Sequence, residues 1–275
     1  MRNLHMTDRL WTRLLSIRDG KDALRRKEAD PAFSLYGPIA SACDGFVLAQ
    51  VGQSLDGRVA TPSGDARDIS GPDGLAHLHR CRALVDAVIV GIGTVQNDNP
   101  RLSVREVKGP SPTRVVIDCR GELTGDEGLF HDGGAPVIVI QGHDAPMSNH
   151  RADVVRLKRG PSGLDPDDIL KCLAERGLKR ILVEGGAKTI ARFIDAGLVD
   201  HLHVCIAPLI IGSGPCGISL PPIAQLCNAH RPAAEVYGLG SDVLFDCRLK
   251  APLVKGQRQK IRVADDADAA VYAGV

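Results

Sequence analysis

Short apolar runs separated by polar, glycine-punctuated segments set the rhythm of this chain. Phe46 to Val51 (FVLAQV), Ala87 to Val90, Arg114 to Cys119 (RVVIDC), Pro136 to Ile140 (PVIVI), Lys179 to Val183 and Asp200 to Pro208 have the length of strands buried on both faces and are too short for helices. Val154 to Leu157 predicts a further short strand, and Val243 to Leu249 a closing one. Helical patterns fall between them. Pro72 and Asp73 open one helix, with Leu75, Leu78 and Arg82 on one stripe at i, i+3 and i+7. Asp165 caps a second that starts at Pro166, carries Ile169, Leu170 and Leu173 inward and ends at Gly177. A third runs from about Lys188 to Ala196 and stops at Gly197. Alternating strand and helix predict an α/β fold with a predominantly parallel central sheet and helices on both faces.

The two ends break this rhythm. Residues 1–40 read as an N-terminal helical extension, with Thr7 capping a helix whose apolar side is Leu10, Trp11, Leu14 and Leu15, and with Gly20 as its stop. Lys21 to Asp30 holds seven charged residues in ten, and Pro31 to Pro38 is expected as a loop. The main domain then covers 41–249, and 250–275 is a polar, loosely attached tail. Gly121 to Gly134 reads as a loop as well.

Composition narrows the function classes. Of 275 residues, 44% are hydrophobic and 24% charged, with net charge +1, so nothing selects for nucleic acid or an acidic membrane surface. Aromatic residues at 3% are too few for a base-stacking platform. No apolar run has membrane-spanning length, and MRNLHMTDRLW lacks the apolar core of a signal peptide. The eight cysteines contain no C-x-x-C pair and read as reduced thiols of a cytoplasmic protein.

Candidate chemistry sits where strands end in glycine. Gly91-Ile92-Gly93-Thr94 and Glu184-Gly185-Gly186-Ala187 let a ligand approach the main chain. Neither turn completes a dinucleotide fingerprint, since Gln96 stands where the third glycine is needed, and no Walker lysine occurs. After the first turn come Asp98, Asn99 and Pro100, then Arg101 and Arg105. Arg82, on an inward stripe, needs an anion: either a ligand or a structural salt bridge. His201, His203 and Cys205 alternate on one strand, a pattern read as a half-exposed face and not as a zinc site; His77 and His79 do not face each other. No metal site is expected.

SLDGR at 54–58, LVDAVIVGIGTVQNDNPRLSVR at 84–105, PTRVVID at 112–118, LVEGGAKT at 182–189 and LVDHLHVCIAPLIIGSG at 198–214 occur in order. Together they resemble the reductase domain of the bifunctional riboflavin-biosynthesis deaminase/reductase, which is dihydrofolate reductase-like in fold. The likeness spans roughly 44–249. It implies NADPH-dependent reduction of 5-amino-6-(5-phosphoribosylamino)uracil to its ribitylamino product, in a homodimer. By similarity, substrate lies near Arg82, Leu102, Arg105 and Glu184. NADPH contacts Gly52, Thr94, Asp98, Cys119 and the turn and helix start at Gly186, Ala187, Lys188 and Thr189. Arg120 is placed by charge and proximity to attract a 2′-phosphate. Asp98 is the candidate for orienting the cofactor or relaying a proton, with Glu184 the alternative.

Two departures qualify the likeness. The deaminase signature, H-x-E with P-C-x-x-C, is absent, so a stand-alone reductase that needs no zinc is expected. In the loop after SLDGR, Ala66 and Asp68 stand where many relatives carry serine and tryptophan, which removes a substrate-side hydroxyl and a cofactor-side aromatic wall. That change keeps open a pterin-type or other heterocyclic substrate. A non-catalytic nucleotide-binding protein is the third reading.

Overall fold

The computed structural model describes residues 1–24, 30–147 and 152–250; the tail beyond Lys250 lies outside the described residues. In chain order the elements are β1 (Arg2–Asn3), α1 (Asp8–Arg18), α2 (Pro31–Ala40), β2 (Phe46–Ser54), α3 (Pro72–Leu84), β3 (Ala87–Gly91), α4 (Ile92–Asp98) and β4 (Thr113–Ile117). They continue with β5 (Val137–Gly142), β6 (Asp153–Leu157), a small hairpin of β7 (Arg159–Gly160) and β8 (Gly163–Leu164), α5 (Pro166–Glu175), β9 (Arg180–Glu184), α6 (Ala187–Asp195), β10 (His201–Ala207), β11 (Ala233–Leu239) and β12 (Asp242–Arg248).

One ten-stranded sheet runs in the order β1-β11-β12-β10-β2-β9-β3-β4-β5-β6. From β10 to β6 every neighbouring pair is parallel. Only β12 runs against its neighbours β10 and β11. The two-residue period of each strand divides its side chains between two cores. Leu48, Val88, Val90, Val116 and Leu182 join α1, α2 and α3 on one face; Ala49, Ala87, Ile89, Val115 and Val183 join α5 and α6 on the other. The expected α/β architecture, a mainly parallel sheet with helices on both faces, is therefore present.

Several local expectations fail. Pro31 to Pro38 is no loop but the body of α2, capped by the Asp30 carboxylate on Ala32 N, with Pro31 in its first turn and Pro38 tolerated inside. This helix is apolar nearly all round because it is buried nearly all round: Phe33, Leu35, Tyr36 and Ile39 are in the core. Helix α1, capped by Thr7 as expected, adds Trp11, Leu14 and Ile17 to the same core, and the Trp11 indole donates to Lys108 O at 2.7 Å. It ends at Arg18 with Asp19 as its cap, and Gly20 follows at φ of 72° as the expected stop. Leu75 lies on the exposed side of α3; Arg82 is buried as the stripe predicts, with His77, His79 and Cys81 buried as well. The Gly91–Thr94 turn is the start of a short helix, α4, which ends at Asn99 in the left-handed region. The Gly121–Gly134 loop contains one turn of 3-10 helix that buries Leu129. Strand β11 went unpredicted. Nor is the face of β10 half-exposed, because His203 and Cys205 are fully buried.

Candidate active site

The carboxyl ends of β2, β9, β3 and β4 lie side by side, and the chain order is broken there: β9 is inserted between β2 and β3. A crevice beyond strand ends at such a reversal is where parallel α/β sheets bind ligands. Two connected hollows occupy it. The inner one, about 260 Å³, is lined by Gly52, Arg82, Thr94, Asp98, Leu102, Glu184, Gly186 and Ala187, among others. The outer cleft, about 670 Å³, shares Thr94, Asp98, Gly186 and Ala187 and adds Cys119, Lys188 and Thr189. Arg120 joins Cys119 in an adjoining depression that also carries Lys158 and Arg159. Thus nearly all residues singled out in the sequence converge. Arg105 is the exception. It is exposed and lines none of these hollows, although Arg82 and Arg101 are close enough that, after burial, their positive charges lower its basicity.

The inner hollow is organised by an ion pair. Arg82 on α3 donates from Nε to Glu184 Oε1 and from Nη2 to Glu184 Oε2, both at 2.7 Å, and from Nη1 to Ser103 O at 3.1 Å. The anion that Arg82 requires is therefore a protein carboxylate, and the pair is almost wholly buried. Burial alone would disfavour the charged guanidinium, but the Glu184 carboxylate more than offsets it and raises the Arg82 pKa. Ser103 O ties the same fork to the loop that bears Leu102. Leu102 is buried with φ of 55°, a rare conformation for a branched side chain. Such strain persists where surroundings over-determine it, commonly at binding sites.

Asp98 differs from Glu184. Burial raises its carboxyl pKa above the ordinary value, and no hydrogen bond or ion pair to its carboxylate occurs among the described residues. It faces both hollows. Backing the loop from behind, buried His79 accepts the Arg105 N–H at Nδ1, 2.9 Å. Burial, reinforced by the charges of Arg82 and Arg105, pushes the His79 pKa down to about 4, so the ring is neutral and able to accept.

The outer cleft has the form of a phosphate cradle. Gly185 and Gly186 follow Glu184 with φ of 60° and 68°, conformations that favour glycine. A Cβ at either would stand 3.2 to 3.3 Å from Thr94. The start of α6 has no side-chain cap, which leaves the Ala187 and Lys188 main-chain N–H groups for an anion while Thr189 N donates to Gly186 O, and the Lys188 side chain is exposed beside them. Cleft size and mainly apolar lining suit a nucleotide cofactor. Farther back, buried Asp118 receives Glu122 N, Leu123 N and Gln141 Nε2, fixing the loop behind Cys119. The SLDGR turn is held by Asp56, which accepts Ile211 N and Gly212 N from the IIGSG segment. Ala66 lines the outer cleft and not the inner hollow, whereas Asp68, with φ of 58°, lines neither.

Sequence reasoning missed part of this lining. Leu164, Pro166, Arg192 and Cys216 also face the outer cleft. Arg192 reaches it by donating to Leu164 O at 2.5 Å, a contact between α6 and the β8 end that no local pattern reveals. The basic depression had a legible signal in the run Arg156 to Arg159, RLKR.

A model of the RibD C-terminal domain matches residues 45–245. The chain belongs to this family. Among similar proteins, the 2,5-diamino-6-ribosylamino-4(3H)-pyrimidinone 5′-phosphate reductase of Methanothermobacter thermautotrophicus is 32% identical over 216 residues, covering 74% of this chain and 98% of the relative. The riboflavin biosynthesis protein RibD of Bacillus amyloliquefaciens is 30% identical over 81% of this chain but only 62% of its own length. Among solved structures, the Thermotoga maritima deaminase/reductase superposes with a TM-score of 0.64 at 27% identity, over 78% of this chain and 59% of that one. The Saccharomyces cerevisiae riboflavin biosynthesis reductase Rib7 superposes with a TM-score of 0.64 at 25% identity, over 78% and 96%. The chain thus covers nearly the whole length of the M. thermautotrophicus reductase and of Rib7, and about three-fifths of the B. amyloliquefaciens and T. maritima proteins.

Proposed function

We propose that this chain is an NADPH-dependent reductase of a phosphorylated ribosylamino-pyrimidine in riboflavin biosynthesis, acting in the cytoplasm as a homodimer. The observation that carries the reading is the pair of joined hollows at one set of strand ends, one apolar and cradle-like, the other closed by Arg82 and Glu184. The outer cleft suits the cofactor, with the Gly185-Gly186 turn and Lys188 receiving phosphate and the basic depression at Arg120, Lys158 and Arg159 receiving a 2′-phosphate. The chemistry that a nicotinamide would supply there is hydride transfer. The substrate sugar opens to an imine as its N–H proton passes to the released ring oxygen; with C1′ presented from the inner hollow, hydride at that carbon leaves an anionic nitrogen that takes up a proton to become the amine. Asp98, between both hollows, holds and passes that proton. Glu184, locked to Arg82, orients the substrate and the Leu102 loop. Arg105 reaches the substrate phosphate from the rim.

A second reading changes the ring but not the chemistry. The M. thermautotrophicus relative is named for a diamino-pyrimidinone, whereas the T. maritima structure is titled for the corresponding aminouracil. These rings differ in one substituent, and the Ala66–Asp68 loop is where the present chain departs from many relatives. The deciding experiment is NADPH oxidation with the aminouracil, the diamino-pyrimidinone and dihydrofolate in parallel. Turnover is expected on a phosphoribosylamino ring, the aminouracil foremost, and not on dihydrofolate. Tight NADPH binding without turnover on either phosphoribosyl substrate would overturn the reading.

A further inference from the structure

Behind the Arg82–Glu184 pair, outside the reductase hollows, lies a cluster that the reaction does not use. His77 and Cys81 project from the same face of α3, four residues apart, and His203 meets them from β10. All three side chains are fully buried, and their nearest nitrogen and sulfur atoms lie within 4.8 Å of one another. Cys81 Sγ is 3.6 Å from His77 Nε2 and 3.9 Å from His203 Nδ1. The second separation is long for a hydrogen bond from a thiol. Both suit the edges of a coordination polyhedron, because zinc bonds of about 2.3 Å to sulfur and 2.0–2.1 Å to nitrogen at a tetrahedral angle put the two donors about 3.5 Å apart.

The far side of the His77 ring is hydrogen-bonded, whereas His203 Nε2 makes no hydrogen bond. His77 Nδ1 meets Tyr36 Oη at 2.8 Å, and His203 Nε2 faces Asp246 Oδ1 at 3.5 Å. Asp246 is itself gripped by His201 Nδ1 at 2.7 Å. The Tyr36 hydroxyl behind His77 orients that ring, as outer-shell oxygens orient metal-bound histidines, and the Asp246 carboxylate lies near the back of the His203 ring. We propose that His77, Cys81 and His203 form a structural site for one soft d10 ion, Cu+ or Zn2+. On binding, the Cys81 S–H bond breaks as the S–metal bond forms, and the proton leaves to solvent. With one thiolate, Cu+ gives a neutral centre, which burial favours; Zn2+ leaves one positive charge, with the Asp246 carboxylate behind His203 to balance it. The ion would pin α3 to β10 one residue before Arg82.

The test is metal content of the untagged full-length chain after expression in zinc-supplemented or copper-supplemented medium, measured by mass spectrometry of the eluted protein. About one equivalent of zinc or copper per chain is expected, and the preferred medium identifies the ion. Cys81→Ser should lose at least about tenfold of that content, while Cys172→Ser, at a buried thiol elsewhere, should keep it; far-ultraviolet circular dichroism checks that both variants fold. Refolding from urea with Co2+ should give a thiolate-to-cobalt absorption band in the wild type and in Cys172→Ser but not in Cys81→Ser. Metal-free wild type from both media, or uptake unchanged in Cys81→Ser, overturns the proposal. The cluster would then be a packed polar group in the core, held by the Tyr36–His77 hydrogen bond. None of these readouts depends on reductase turnover, so the two proposals fail separately.

Discussion

Arg82 and Glu184 are 102 residues apart in sequence and meet through two parallel hydrogen bonds of 2.7 Å, with only 8% of either side chain exposed. One fork thereby joins helix α3, the carboxyl end of β9 and, through Ser103 O, the Leu102 loop. Such a bidentate pair is geometrically specific as well as strong. Removing one partner strands the other as a buried charge, at a cost of about 3–5 kcal/mol. Arg82→Ala should therefore lose about that much stability in urea denaturation. The joint replacement of both residues by methionine should recover most of it while activity stays lost, because the loop is no longer positioned. Equal destabilisation by the single and double variants would show that the pair does not act as a unit.

The strands were legible because parallel strands buried on both faces must be apolar without interruption, as at Ala87 to Val90 and Val137 to Ile140. The candidate site was legible where its signal is local, in the glycines after Glu184 and the acid at 98, as were the helix caps at Thr7 and Asp165. Helix α2 was not, because burial on all sides erases the 3.6-residue stripe and leaves Gly37 and Pro38 looking like loop residues. The convergence of His77, Cys81 and His203 was invisible for another reason. It requires the distance between α3 and β10, which no spacing along one element contains. The same is true of the counter-charge for Arg82.

Gly186 tests the cofactor side. Alanine at φ of 68° and ψ of 99°, outside the left-handed helical region, costs about 1–3 kcal/mol of backbone strain, and its Cβ would press on Thr94 Oγ1 at 3.3 Å. Gly186→Ala should stay folded, with a lower Tm, and should raise the Kd for NADPH at least about tenfold by isothermal titration. The KM for the pyrimidine should change much less. A variant with unaltered NADPH affinity would remove this turn from the cofactor site.

His79 makes the Arg105 loop sensitive to acid. Its folded pKa is pushed to about 4 by burial and by the neighbouring arginines, below the ordinary 6.5, so between these values the unfolded chain takes up a proton that the folded chain refuses. The stability due to neutral His79 is complete above about pH 6.5 and is lost as pH falls towards 4. In the folded chain the ring takes up that proton only as pH falls through about 4, and there protonation removes the acceptor for Arg105 N. KM for the phosphorylated substrate should rise on acidification, and His79→Asn, which keeps an acceptor near the Nδ1 position, should flatten both trends. Arg105→Ala should raise that KM at every pH without moving the KM for NADPH. Equal effects on the two would count against a phosphate role.

Asp98 gives the opposite sign. Burial raises its folded pKa above the unfolded value, so the folded chain binds this proton more tightly than the unfolded one. The carboxylate therefore costs stability at neutral pH, and that cost disappears as pH drops below about 3.9, the ordinary aspartate value. Asp98→Asn removes the cost, and the variant should be at least as stable as the wild type at pH 7, with the difference vanishing in acid. If Asp98 passes the proton, kcat should fall about 10²- to 10⁴-fold, while the KM for NADPH stays within a few-fold and the carboxylate limb of the kcat–pH profile is lost. Stability and rate are thus expected to move in opposite directions. A variant that is less stable but retains its kcat would assign Asp98 to the scaffold and return the proton to Glu184.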